Sequence, residues 1–128
     1  MSDDRRVLGT EGETRAAAYL EERGYRIRDR NIRCGGVEID LIASRGRLVV
    51  FVEVKTRRSR RYGLPEEAVD ARKRARIVRG ARHWLFDQPQ RFARVRFDVI
   101  CCDVTPGPDA GAPHWQLCHI EAAFDAGD

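Results

Sequence analysis

The sequence predicts an α/β domain in which helices flank a mixed β-sheet. Apolar residues recur at helical spacing over residues 11–23 and again over 65–86, and runs of strand length lie between and after them. The resulting order of helix, strands, helix, strands suits helices packed on a sheet. At 128 residues the chain has the size of one domain and can bury its own core, so residues 1–128 are read as a single domain.

Thr10-Glu11-Gly12-Glu13 matches a capping box, and Ala16, Ala17 and Leu20 then recur until Gly24, which predicts a first helix over residues 11–23. Tyr25-Arg26-Ile27-Arg28 alternates as a half-buried strand does, and Cys34-Gly35-Gly36 reads as a turn. A hairpin follows. Apolar residues bracket Ser44-Arg45-Gly46-Arg47, and a two-residue Gly46-Arg47 turn fits the type with glycine first. Pairing Arg45 with Leu48 then sets Asp40 opposite Glu53 and Glu38 opposite Lys55, with all four on one face.

Pro65 fits the first position of a second helix, Glu66 and Glu67 suit its first turn, and Pro89 stops it after about Phe86. Ala71, Ala75, Val78, Ala81 and Leu85 make its apolar side, beside a stripe of Arg72, Arg76, Arg79 and His83. Arg74 and Arg82 intrude on the apolar side and have to snorkel outward. Val95 to Val104 reads as a strand with Phe97, Val99 and Cys101 on one face; "TPGPDAGAP" is a loop, and Trp115 to Ile120 a last strand.

The net charge of +4 is unevenly spread: all 24 Lys and Arg precede residue 99, and 11 of them fall between Lys55 and Arg82. Guanidinium groups at that density suit a polyanionic partner, or else form a solvated basic surface. Four cysteines show no zinc-binding spacing, and free thiols in a reducing compartment are expected. No apolar run reaches membrane-spanning length and the first residues lack a secretory signal, so a soluble, cytoplasmic protein without membrane contact is expected.

The four hairpin charges follow a run, Leu48-Val49-Val50-Phe51-Val52, that is apolar on both faces and therefore reads as a covered central strand. Carboxylates facing each other at about 5 Å repel. One way to relieve this is for the pair to share a proton; another is a divalent cation, for which clustered oxygens suit magnesium or manganese. Lys55 offsets part of the charge. The competing reading is a sheet edge whose charges point into water.

Asp40 followed after twelve residues by Glu53-Val54-Lys55 resembles the PD-(D/E)-x-K nuclease signature. With "GETRAAAYLEERGYRIRDRNIR", "VEIDLIA", "LVVFVEVKTR", "PEEAVDARKRARI" and "RFDVI", the sequence from about residue 9 to 124 resembles the YraN-like bacterial family of proposed nucleases. The resemblance implies a restriction-endonuclease-like core related to archaeal Holliday junction resolvases. It implies Mg²⁺, with Mn²⁺ as an alternative, held by Asp40, Glu53 and the main-chain carbonyl of Val54. Lys55 would hold or activate the attacking water, and Glu13 could join the site. The signature's first proline is absent, with Ile39 before Asp40.

Glu13 has a second explanation as the last residue of the capping box, and Glu38 a second one as a salt-bridge partner of Lys55. Arg57, Arg58, Arg60 and Arg61 follow the signature directly and are expected to hold a DNA backbone, with Arg72, Lys73 and Arg76 extending the track. Trp84 and Trp115 are read as core or interface residues, and His83, His114 and His119 are given no chemistry. The expected function is metal-dependent endonuclease cleavage of DNA, branched DNA if the resolvase likeness guides, for which a homodimer is suited. The alternatives are a nucleic-acid-binding module that does not cut and a protein-interaction subunit.

Overall fold

The structure is a computed structural model and describes residues 2–58 and 69–127. Helix α1 (Ser2–Glu22) is followed by strands β1 (Arg26–Cys34), β2 (Val37–Arg45) and β3 (Leu48–Arg57), then helix α2 (Ala71–Phe86), strand β4 (Arg94–Thr105), a short 3-10 turn at Pro108–Ala110 and strand β5 (His114–Phe124). The five strands lie in sequence order in one sheet. β3 and β4, on either side of α2 in the chain, run parallel, and the other neighbours are antiparallel. The architecture is that of a mixed sheet flanked by helices, compatible with a restriction-endonuclease-like fold.

The helices cover opposite faces of the sheet. Ala16, Ala17 and Leu20 of α1 pack with Leu41, Ala43, Val50, Val52, Ile100 and Cys102. Ile77, Val78, Ala81 and Trp84 of α2 pack with Ile39, Ile42, Val49, Phe51, Phe97, Val99 and Cys101. Strand alternation sends Val49 and Phe51 one way and Val50 and Val52 the other, which is why the central run is apolar throughout. Cys101 and Cys102 lie in separate cores as free thiols. Among the described residues no helix is long and apolar enough to cross a membrane.

Both helices depart from their expected starts. α1 begins at Ser2, so Thr10 lies inside it and its carbonyl accepts a hydrogen bond from Thr14 Oγ1 at 3.0 Å. A capping residue must stand outside the helix, so the capping-box reading of Thr10 and Glu13 is corrected. α2 begins at Ala71 behind Asp70, whose backbone is extended and whose Oδ1 accepts from the Lys73 N–H at 2.9 Å. Val69 and Asp70 are not helical, which rules out one unbroken helix from Pro65 to Phe86; Pro65, Glu66 and Glu67 themselves lie outside the described residues.

The buried side of α2 is also rotated from expectation. Ala71 and Ala75 are exposed, while Ile77 and Trp84 turn inward and remove more apolar area from water than two alanines can. Trp84 meets Phe51 edge to face and donates its ring N–H to Asp29 Oδ2 at 2.8 Å. Gly80 permits this close docking, since a Cβ there would lie 3.1 Å from Ile39 Cδ1 and 3.2 Å from the Cys34 carbonyl oxygen.

Candidate functional site

The β2–β3 hairpin has the expected register, pairing Arg45 with Leu48 and continuing to Leu41 opposite Val52, with Gly46 at φ 61° in the turn. Beyond that pair the N–H of Val54 donates to the Asp40 side chain, Oδ2, at 2.8 Å. A carboxylate thus accepts a strand N–H where the β2–β3 ladder stops.

The same point is irregular on the other side of β2. The β1–β2 ladder passes from Arg30 opposite Leu41 to Ile32 opposite Ile39, with no pair between Asn31 and Asp40. Asn31 has φ 48°, and its Nδ2 donates to Glu13 Oε1 of α1 at 2.9 Å. Ile39 and Ile42, three residues apart, both reach the α2-side core, so strict alternation breaks at Asp40 and Leu41.

A cleft of about 650 Å³ opens at this end of the sheet. Glu38 and Asp40 of β2, Glu53 of β3 and the α2-capping Asp70 line it together with Arg33 of β1 and with Arg72, Lys73 and Arg76 of α2. Glu53 is only 7% exposed and forms an ion pair with the Lys73 ammonium. Burial pushes the Asp40 carboxyl up to about 7; the charges of Glu53 and Glu13 push the same way, while the Val54 N–H and the Lys73 charge pull against them.

Six of the expected site residues, Glu38, Asp40, Glu53, Arg72, Lys73 and Arg76, thus share one cleft. Glu13, half-buried on α1, reaches it through its charge on Asp40. Lys55 is exposed and is not part of the lining. Arg57 is corrected: it is 7% exposed, and its Nε meets Asp103 Oδ1 at 2.9 Å, so its guanidinium braces β3 against β4 rather than facing a phosphate. Arg58 lines a separate groove with Leu8, Val104 and Pro113, and Arg60 and Arg61 lie outside the described residues.

Sequence reasoning missed Arg33, Asn31 and Asp70. Asp70 carried a readable signal, a capping side chain three residues before the N–H that it binds; Arg33 and Asn31 carried none. It also passed over His119. Its Nε2 lies 2.7 Å from Asp98 Oδ2, and its Nδ1 lies 3.2 Å from the Tyr19 hydroxyl. Asp98 is fully buried and also accepts from Arg96 Nε at 2.9 Å and from the Ala122 N–H at 3.0 Å. Burial opposes its ionisation, but His119, Arg96 and Ala122 together hold its carboxyl below the ordinary carboxylate range. This network ties β4 and β5 to α1, on the face away from α2.

Among the described residues no group of three or more His, Cys, Asp or Glu side chains stands close enough to hold a metal ion. The donors at hand are a carboxylate pair, Asp40 and Glu53, without nitrogen or sulfur. That set fits magnesium or manganese, which bind through one or two carboxylates and keep several waters, and does not fit zinc. Burial first, and then the Glu53 and Glu13 charges, oppose the ionisation of Asp40.

The family model described as "Uncharacterised protein family UPF0102" matches residues 12–102, from the middle of α1 through α2 to the centre of β4. A UPF0102 protein of Geobacter sulfurreducens is 44% identical over 97% of this chain and 93% of its own length. One of Geobacter metallireducens is 49% identical over 98% of each chain, and one of Symbiobacterium thermophilum 51% identical over 94% of this chain and 98% of its own. The chain belongs to the UPF0102 family, the YraN family that its sequence resembles.

Proposed function

We propose that this protein is a metal-dependent endonuclease that hydrolyses phosphodiester bonds in DNA. The observation that carries this reading is the meeting of Asp40 and Glu53, from adjacent strands, in a cleft that Arg33, Arg72, Lys73 and Arg76 also line. An acidic floor alone would repel a polyanion, and a basic surface alone would bind one without chemistry. Together they suit a phosphate drawn in by arginines toward a cation held by carboxylates.

Asp40 and Glu53 are the residues to hold the cation, with the Val54 carbonyl as the resemblance implies. The Val54 N–H fixes Oδ2 of Asp40, and Lys73 fixes Glu53. When bound, the ion would polarise a nonbridging phosphate oxygen and lower the pKa of water. Arg72 and Arg76, one helical turn apart and both exposed, can each grip a phosphate through two N–H groups. Lys55, two residues beyond Glu53 and exposed, is the residue that the resemblance implies would orient the attacking water. Branched DNA is the proposed substrate, and a two-fold junction suits a protein that pairs.

Incubating purified protein with linear, flapped and four-way DNA, with Mg²⁺, Mn²⁺ or chelator, tests this directly. Cleavage is expected with either metal, none in chelator, and none with Asp40→Ala in any buffer. DNA binding that ignores the metal and survives Asp40→Ala, with no cleavage, would instead establish a binding module that does not cut.

A further inference from the structure

Asn31 holds a left-handed backbone where no turn calls for one. The positive φ values of Gly24, Gly35, Gly36 and Gly46 fall at a helix end or in tight turns. Asn31 lies inside β1, with ladder pairs on both sides of it, and the left-handed region costs a non-glycine residue roughly 1 kcal/mol or more. Asparagine tolerates it better than most residues, but an ordinary strand residue would not need to.

What the kink accomplishes is visible in its neighbours. It falls opposite Asp40, where the β1–β2 ladder skips a pair, and the β2–β3 ladder also stops one residue short of Asp40. Asp40 thus has no ladder partner on either neighbouring strand, and its carboxylate accepts the Val54 N–H instead. The Asn31 side chain meanwhile reaches α1. Glu13, as a carboxylate, only accepts, so the Asn31 amide nitrogen must be the atom that faces it, at 2.9 Å.

α1 brings Glu13 within reach because Gly12 lets the helix press onto β3. A Cβ at Gly12 would lie 2.0 Å from Thr56 Oγ1, and Cys102 Sγ lies 3.6 Å from the Gly12 carbonyl oxygen. Glu13 in turn stands close enough for its charge to act on Asp40. Among the described residues no set of three acids is close enough to ligate one ion together, so Glu13 belongs around the carboxylate pair rather than in it.

We propose that Asn31 is a positioning residue: its left-handed backbone opens the sheet at Asp40, and its amide fixes Glu13 beside that carboxylate, so that the third acid raises the cleft's affinity for a divalent cation. This rests on the metal-site reading above and extends it to a residue that touches neither cation nor substrate. Partners outside the ligand set commonly change metal affinity on the order of 10-fold or more.

Mn²⁺ affinity, measured by titration calorimetry on wild type, Glu13→Gln, Asn31→Gly and the double variant, tests it without any need for cleavage. Glycine accepts the left-handed backbone and removes only the amide. Each single variant is expected to bind Mn²⁺ about 10-fold more weakly. The double variant is expected to bind no more weakly than Glu13→Gln alone, because both changes remove one interaction. Wild-type affinity in Asn31→Gly, or losses that multiply in the double variant, would overturn the proposal. So would a large fall in the melting temperature of Asn31→Gly, which would make Asn31 a support of the fold rather than of the site. If wild type binds no Mn²⁺, or Asp40→Asn binds it undiminished, the metal-site reading itself fails.

Discussion

Replacing Asp40 by asparagine should make the protein more stable in chelator. The Asp40 carboxyl is raised from 3.8 to about 7 by burial and by the neighbouring Glu53 charge. A carboxyl whose folded pKa lies above its unfolded value binds a proton in the folded state across that window. Its contribution is therefore fully present below 3.8 and is lost as pH rises toward 7. At roughly 1.4 kcal/mol per unit, ionised Asp40 costs the fold on the order of 4 kcal/mol at about pH 8. Asparagine keeps an oxygen for the Val54 N–H, and the charge-assisted part of that bond is already contained in the net shift. A net gain on the order of 4 kcal/mol should therefore remain, or roughly 3 to 5 °C in melting temperature for each kcal/mol in a domain of this size. Urea unfolding of both proteins in EDTA, at about pH 4 and about pH 8, measures it. An Asp40→Asn variant no more stable than wild type at the higher pH, or equally favoured at both, would refute the strained-carboxylate reasoning.

The Asp98 network should behave in the opposite way. Its carboxyl is held below the ordinary range, so the stability it gives is full above 3.8 and falls away as pH drops below that value, and Asp98→Asn should cost about 3 to 5 kcal/mol at neutral pH by leaving Arg96 and His119 poorly paired. Asp103→Ala should cost a similar amount, about 3 to 5 kcal/mol in chemical denaturation, because it removes the carboxylate that accepts two hydrogen bonds from the buried Arg57 guanidinium. Removing Arg72 and Arg76 together should leave the melting temperature unchanged, while flattening the dependence of log DNA affinity on log salt by about 2.

The parts of this fold legible in advance are those set by local chemistry. Gly46 with Arg47 forms a two-residue turn, that turn sets the hairpin register as far as Leu41 opposite Val52, and Asp40 and Glu53, one residue further on, line the same cleft. The two-faced apolar run at Leu48 to Val52 could only be a central strand with a helix on each side. Features that depend on distant partners stayed hidden. Arg57 looked solvent-facing because Asp103, which buries it, is 46 residues away. Lys73 looked like part of a phosphate track because its contact with Glu53 depends on how α2 sits.

Local patterns also misled where a longer pattern outcompeted them. Thr10 to Glu13 matches a capping box letter by letter, yet the upstream residues continue the helix and no cap is needed. In α2 the alanine series gave a plausible apolar side, but Ile77 and Trp84 bury more and set the rotation. Asn31 leaves no trace in residue periodicity, since its left-handed backbone is imposed by the sheet around it.

Mn²⁺ titration of the wild-type protein beside Glu53→Gln, followed by calorimetry at about pH 8, tests the central claim most directly. One ion per chain is expected for wild type, with binding weakened by at least about 10-fold when Glu53 loses its charge. Equal binding by both proteins, or no binding by wild type, would contradict a cation held between β2 and β3.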